Sequence, residues 1–325
     1  MMDNAAIIFG GSGFIGTHLT EYLLENNLAS KIFCGDLVPP RISSSLLQYI
    51  PCDVRFPINI DIRNVGTIYN LAAVHVTPGH PDIDYFETNI KGAENICNFA
   101  TQAGIHRIVF TSSIAPYGGS EDIKKEIDLP QPTSAYGISK LVAEYIHKCW
   151  LAESKEHQMT IVRPGVVFGK GEGGNFTRLY KSLKSGYFFY PGRKDTKKAA
   201  IYVKDLVRGL HEMSQSDNNF EFYNMCYPDP PTIQEIVKTI CNITGVKEAR
   251  FVIPGVLLKL IAAILRWGNV FIGNNRGVHP DRVKKLMIST NISGEKLSNS
   301  SYATIYSLEK AIEDWYTDCG RNGLY

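Results

Sequence analysis

Tyr136 and Lys140 stand four residues apart in SAYGISKLVAE. On a helix that spacing puts both on one face. A free phenol has a pKa of ~10 and is a poor base near neutrality; a neighbouring ammonium or a bound cation favours the phenolate and brings it into working range. Proton transfer at a carbonyl also calls for a hydroxyl donor, and VFTSSIAPYG offers Ser112 or Ser113 at a strand end. Tyr/Lys pairs are common on exposed helices, so the pair alone defines no site.

The elements that must position these groups begin at the N-terminus. Gly10, Gly13 and Gly16 form G-x-x-G-x-x-G in FGGSGFIG, between an apolar strand and a helix. Small residues let the backbone turn tightly and approach a pyrophosphate, whose charge meets the positive end of the helix dipole. Asp36 ends the next strand, 20 residues beyond Gly16. A carboxylate there accepts from ribose hydroxyls and repels a ribose phosphate, which predicts NAD; Arg41, five residues on, keeps NADP open. With a dinucleotide in place, Lys140 can hold the nicotinamide ribose while Tyr136 handles the proton.

The first half alternates β-rich runs (AAIIF, KIFCGD, QYIPC, TIYNLAA, RIVFTSS, MTIVRPG) with helical stretches near 14–26, 83–103 and 134–155. That order predicts an α/β fold of Rossmann type, a doubly wound parallel sheet with helices on both faces. Beyond Gly165 the texture changes to the glycine-rich and basic loops GKGEGGN and FFYPGRKDTKK. The expected organisation is a dinucleotide-binding domain over 1–165, to which about 199–227 returns. A smaller, interleaved substrate domain fills most of 166–325.

Composition narrows the class. Of 325 residues, 44% are hydrophobic and 20% charged, with a net charge of +2, as in a globular protein without a nucleic-acid-binding face. The seven cysteines are scattered, odd in number and lack CxxC spacing. They read as reduced packing residues of a cytoplasmic protein, with no metal site. Asp3 and the glycines from 10 to 13 argue against a signal peptide at the N-terminal apolar run. Residues 251–273 are strongly apolar but carry Lys259 and Arg266 and are broken by Pro254 and Gly255, so the unbroken part is too short to span ~30 Å of hydrocarbon. A buried or subunit-facing helix is the first reading, weak contact with a membrane surface the second.

GGSGFIG, Asp36, Asp53, NLAA, NIKGAEN, TSSIAPYG, YGISK and VRPGVVFG occur here in one order. In that order they resemble the extended short-chain dehydrogenase/reductase family, in its NAD-dependent epimerase/dehydratase branch acting on nucleotide sugars. The resemblance implies Ser113 as the catalytic hydroxyl, with Ser112 its competitor, Tyr136 as acid/base and Lys140 as its electrostatic partner. It implies a cofactor surface of Gly10, Gly13, Phe14, Ile15, Gly16, Asp36, Asp53, Val54, Leu71, Ala72, Ala73, Asn89 and Pro164. Within it, Asp53 would meet the adenine amino group, Asn89 would support the active site and Pro164-Gly165 would line the nicotinamide side. A homodimer through the helices at 83–103 and 134–155 is also implied.

Family dehydratases carry an Asp-Glu pair after the serine or threonine; this chain has Ile114-Ala115. Epimerases that invert neighbouring carbons commonly need a cysteine there, and Ala115 cannot serve. Hydride chemistry at one sugar carbon is what remains: a 4-epimerase with retained NAD, or a 4-keto reductase with exchangeable NAD(P)H. RPGVVFGKGEGGNFTRL resembles the reductases, and Gly165 stands where many 4-epimerases have Asn, whereas Asp36 favours NAD. For a nucleoside diphosphate, Asn175, Lys198 and Arg282 occupy positions similar to the family's diphosphate contacts, with Arg193, Lys194 and Lys197 adding charge; each alone could equally be a solvated basic residue. Asp205 is expected to cap its helix. Two other readings stay open: a membrane-associated hydroxysteroid or sterol dehydrogenase, and a dinucleotide-sensing module without turnover.

Overall fold

The structure, a computed structural model, describes residues 5–75, 79–258 and 287–325. Arg282 and residues 259–273 of the apolar stretch lie outside the described residues.

The first half runs β1 (Ala5–Phe9), α1 (Phe14–Glu25), β2 (Lys31–Asp36), β3 (Leu47–Pro51), β4 (Val65–Asn70), α2 (Asp82–Tyr85), a π-helical turn (Phe86–Lys91), α3 (Gly92–Gln102), β5 (Arg107–Thr111), β6 (Ser120–Lys124), α4 (Ala135–Glu153) and β7 (Gln158–Pro164). Then come β8 (Val166–Phe168), α5 (Asn175–Lys184), β9 (Tyr190–Pro191), β10 (Ala200–Tyr202), α6 (Val203–Ser214), β11 (Phe220–Met225), α7 (Ile233–Thr244), β12 (Val252–Ile253), β13 (Thr290–Ile292), α8 (Glu295–Ser298) and α9 (Leu308–Asp318).

Seven strands pair in the order β11-β7-β5-β4-β1-β2-β3, every pairing parallel. Strand order reverses between β1 and β4, where a doubly wound sheet opens a crevice for ligands. The fold is the Rossmann type. All five residues of β1 are buried, as a strand covered on both faces requires. Its side chains divide by parity. Ala6 and Ile8 join Leu19, Leu23, Leu206 and Leu210 in one core, beneath α1 and α6. Ala5, Ile7 and Phe9 join Ile96, Phe99, Ala143 and Trp150 in the other, beneath α3 and α4.

β11 pairs with β7 from Phe220↔Met159 to Met225↔Pro164, so a strand from the second half forms an edge of the main sheet. Short parallel pairs, β8 with β10 and β6 with β13, flank the strand ends. The helix expected over 83–103 is three segments, with the π turn between two α-helical stretches. Among the described residues no helix is long and apolar enough to cross a membrane, and no cluster of three metal-ligating side chains occurs.

Candidate active site

The glycine turn is fixed by steric necessity at two points. Gly10 has φ +80°, and a Cβ there would lie 2.7 Å from the Ala72 backbone nitrogen. A Cβ on Gly16 would lie 2.4 Å from the Gly10 carbonyl oxygen. Only glycine lets the first turn of α1 and the strand-end segment Leu71-Ala72-Ala73 close on the loop. Gly13 precedes α1 without a side-chain cap, and the first turn holds no acidic residue. The helix therefore presents open backbone donors toward the crevice, a fit for pyrophosphate. Phe14 and Ile15 open this helix, half-buried.

Asp36 stands at the tip of β2, its Oδ2 accepting from Ser12 N at 3.0 Å and its Oδ1 from Leu37 N at 2.7 Å. Those bonds aim the carboxylate and leave it lone pairs for ribose hydroxyls. The glycine cradle, the open helix end and this carboxylate together suit NAD. Asp53 takes both Nε and Nη2 of Arg55, at 3.0 and 2.6 Å to Oδ2, which holds its carboxyl below the usual range. An adenine amino group would share Asp53 with Arg55. Val54 is buried against Gly92, and its carbonyl accepts from Asn95 Nδ2 at 2.8 Å.

Ser134 caps α4, its Oγ accepting from Gly137 N at 3.2 Å. Tyr136 is thereby in the first turn, with Lys140 one turn on. The Ser113 hydroxyl is the side chain on the strand end that acts on the Tyr136 phenol, while its Oγ accepts from Ala115 N at 3.1 Å. Burial raises the phenol pKa, the Ser113 hydroxyl lowers it and Tyr85 raises it, with ring centroids of the two tyrosines 6.1 Å apart. Ser112 faces elsewhere, donating to Glu144 Oε1 at 2.5 Å. Of the two candidate serines, Ser113 is the one beside the phenol.

Lys140 is 2% exposed. Its Nζ donates to the Thr111 carbonyl at 2.8 Å and sits 4.7 Å from the Phe110 ring centre. Burial pushes its pKa down to about 7, against a raising influence from Glu144. A cationic ring bound beside the Tyr136 phenol would lower its pKa further.

Asn89, at the π turn, accepts from Val74 N at 3.0 Å and donates to Val74 O at 3.1 Å and Ser139 Oγ at 2.9 Å. It fastens the segment after β4 to α4. Pro164 ends β7, and its carbonyl accepts from Ile114 N at 3.1 Å.

Several buried polar residues around the site escaped the sequence reading. Glu144 and Arg163, 1% and 3% exposed, form a bidentate pair at 2.8 and 2.6 Å. His147 donates through Nδ1 to Ala143 O at 2.7 Å, accepts from Asn70 at 3.3 Å and stacks on Phe110 at 4.2 Å. Burial pushes its pKa down to about 4. The available signal was Arg163 within the apolar run MTIVRP, since a buried charge needs a partner.

On the substrate side, Asn175 is exposed at the start of α5. Lys198 Nζ donates to Ile288 O at 2.8 Å, and burial pushes its pKa down to about 8. The basic loop is largely tied down: Arg193 binds Glu121, and Lys197 lies 2.6 Å from Asp229. Asp205 corrects an expectation. As an inward-facing residue of the first turn of α6, it caps nothing there; it accepts from Ile305 N at 2.8 Å and Tyr306 N at 3.2 Å.

Fold and site together define a dinucleotide-dependent enzyme of proton-coupled hydride transfer. A dinucleotide cradle at the strand-order reversal leads to a serine, tyrosine and lysine at neighbouring strand and helix ends. The chain belongs to the NAD dependent epimerase/dehydratase family, whose profile matches residues 6–226, and NAD is the dinucleotide of that family. It is 27% identical over 318 residues to N-acetyl-alpha-D-glucosaminyl-diphospho-ditrans,octacis-undecaprenol 4-epimerase of Escherichia coli O157:H7, covering 96% of this chain and 94% of that protein. It is 25% identical over 338 residues to 3-beta-hydroxysteroid dehydrogenase of Mycolicibacterium neoaurum, covering 96% and 91%. The UDP-glucose 4-epimerase of Thermotoga maritima, solved with UDP-glucose, shares the fold with a TM-score of 0.75 at 18% identity, covering 98% of this chain and 99% of that one.

Proposed function

We propose that this protein is an NAD-dependent 4-epimerase or 4-keto reductase of a diphosphate-linked sugar, in the first instance a UDP-sugar, acting by hydride transfer at one ring carbon. The observation that carries the reading is the buried Tyr136 phenol with the Ser113 hydroxyl acting on it, one helical turn from Lys140 on α4, beyond a glycine turn that opens α1 without a side-chain cap. One relative that spans nearly the whole chain is a 4-epimerase of a diphosphate-linked sugar.

When bound, NAD supplies the hydride acceptor and donor. Gly10, Gly13 and Gly16 receive its pyrophosphate at the start of α1, and Asp36 its adenosine ribose. Phe14, Ile15, Asp53, Val54, Leu71, Ala72, Ala73 and Pro164 complete the surface, with Asn89 bracing it. Tyr136 takes the proton of the substrate hydroxyl during oxidation and returns it on reduction. Ser113 donates to the same oxygen and holds it at the phenol. Lys140 orients the nicotinamide ribose and favours the phenolate. Lys198 and Asn175 bind the diphosphate, a role that the family resemblance also gives to Arg282, outside the described residues. On this reading 1–165 is the dinucleotide-binding domain, joined by 199–227, and 166–325 mainly holds the sugar.

Purified protein should be denatured and its supernatant assayed for NAD, then intact protein incubated with UDP-glucose or UDP-N-acetylglucosamine and followed by NMR at C4. Retained NAD with a C4 epimer supports the epimerase; an empty protein that oxidises NADH on a 4-keto sugar supports the reductase. Neither result with any diphosphate-linked sugar overturns the reading.

A second feature favours work at a membrane surface. Phe251, Val256 and Leu257, at the described end of the apolar stretch, are 79%, 82% and 46% exposed. We place the enzyme in the cytoplasm as a homodimer, with this stretch in weak contact with a bilayer. Light scattering and co-sedimentation with anionic vesicles test both.

A further inference from the structure

Beneath the candidate site lies a buried ion pair that none of the roles above uses. Glu144 follows Lys140 by one turn of α4, and Arg163 reaches it from β7 with Nε at 2.8 Å and Nη2 at 2.6 Å. Ser112 donates to the same carboxylate at 2.5 Å, so three donors converge on Glu144. Ser112 N also donates to Val162 O at 2.8 Å, and Ile114 N to Pro164 O at 3.1 Å. The peptide carrying Ser113 is thus clamped on both sides to β7, and on one side to Glu144.

Arg163 is held in turn, its guanidinium 4.5 Å from the Tyr117 ring centre and 4.8 Å from that of Phe222. Tyr117 OH donates to Asn224 Oδ1 at 2.9 Å, and Asn224 N to Glu126 Oε1 at 2.8 Å. So many fixed partners leave the Glu144 carboxylate no freedom to turn.

We propose that Glu144 is a positioning residue of the proton-transfer site: locked by Arg163, it fixes Ser112 and through it Ser113, and it stands as counter-charge to Lys140. Among the described residues Glu144, from α4, acts on Lys140, and Lys140 acts in turn on His147 of α4 and on His75 of the segment after β4. Both imidazoles are pushed toward the neutral form, first by burial and also by Lys140. Among the described residues Glu144 alone supplies Lys140 with opposite charge. Without it the ammonium would face burial with only the Thr111 carbonyl and the Phe110 ring.

The inference rests on the roles proposed for Ser113, Tyr136 and Lys140. The test compares kcat, KM and pH profiles of wild type, Glu144→Gln, Ser112→Ala and the double variant Glu144→Gln/Arg163→Met. Breaking one half of a buried pair can cost the fold, whereas replacing both halves by neutral groups often does not. In whichever of the two Glu144 variants folds, kcat should fall by ~10-fold or more at a KM within ~2-fold. The alkaline limb should move to lower pH by about one unit, because Lys140 loses its proton more readily. Ser112→Ala keeps the ion pair and should lower kcat by ~5-fold or more without moving the limb. A Glu144 variant with the wild-type limb, recovery of kcat together with thermal stability in the double variant, or wild-type kcat in Ser112→Ala overturns the proposal. An inactive wild type, or full activity in Tyr136→Phe, would instead overturn the reading of the site.

Discussion

Asn89 brackets Val74: its Oδ1 accepts from the Val74 amide at 3.0 Å while its Nδ2 donates to the Val74 carbonyl at 3.1 Å. The same amide nitrogen reaches Ser139 on α4, one residue before Lys140. One side chain therefore ties the strand-end segment to α4, the helix that carries Tyr136 and Lys140. Asn89→Ala leaves backbone and hydroxyl groups to seek other partners and should destabilise by ~1–3 kcal/mol. It should also weaken NAD retention. Urea titration and released-NAD assays check both, and an unchanged NAD content would mean that the brace does not shape the cofactor surface.

Tyr136→Phe removes the proposed proton carrier and keeps the ring packed near Tyr85. Turnover should drop by ~100-fold or more with NAD still bound. Steady-state rates and the NAD content of the purified variant decide it. Near-normal turnover would take the phenol out of the mechanism.

Asp36 would do two jobs, since its carboxylate anchors Ser12 N and, on the proposed reading, meets the ribose. Asp36→Asn keeps an acceptor for Ser12 and removes the charge that repels a 2′-phosphate. Affinity for NADP relative to NAD should rise by ~10-fold. Isothermal titration with each dinucleotide measures it, and equal affinities in the parent protein would already contradict the ribose assignment.

Lys140 links stability to pH. Its native pKa, about 7, lies below the ordinary 10.5. Between those values the unfolded chain binds the extra proton, so this residue makes stability rise with pH from 7 toward 10.5. Its burial cost is felt in full below pH 7, where both states carry the charge. Relative to Lys140→Met, wild type freed of dinucleotide should gain ~2–3 kcal/mol from pH 7 to pH 9. Urea titrations across that range test it; parallel curves would mean that the ammonium is not desolvated.

Much of this was legible in the chain because the signals are local. The glycine turn must stay bare where Gly10 passes Ala72, and apolar runs of strand length announce a sheet covered on both faces. Tyr136 and Lys140 could be read together because four residues bring them onto one helical face. Other features have no local signature. Arg163 finds Glu144 across 19 residues and two elements. β13 pairs with β6 through Ser120↔Thr290, a contact between distant parts of the chain. The π turn that seats Asn89 has no residue code of its own, and Asp205 looked like a cap because its loop partners, Ile305 and Tyr306, lie 100 residues on.

Because β11 supplies the last strand beside β7, the two halves cannot be separated by cutting after Gly165. A shortened chain ending there would expose the row of amides and carbonyls along β7, with Met159, Ile161 and Val162 stripped of cover, and such an edge recruits strands from other molecules. Excision should yield aggregates instead of a soluble nucleotide-binding fragment. The intact polypeptide, by the same logic, should melt in one cooperative step.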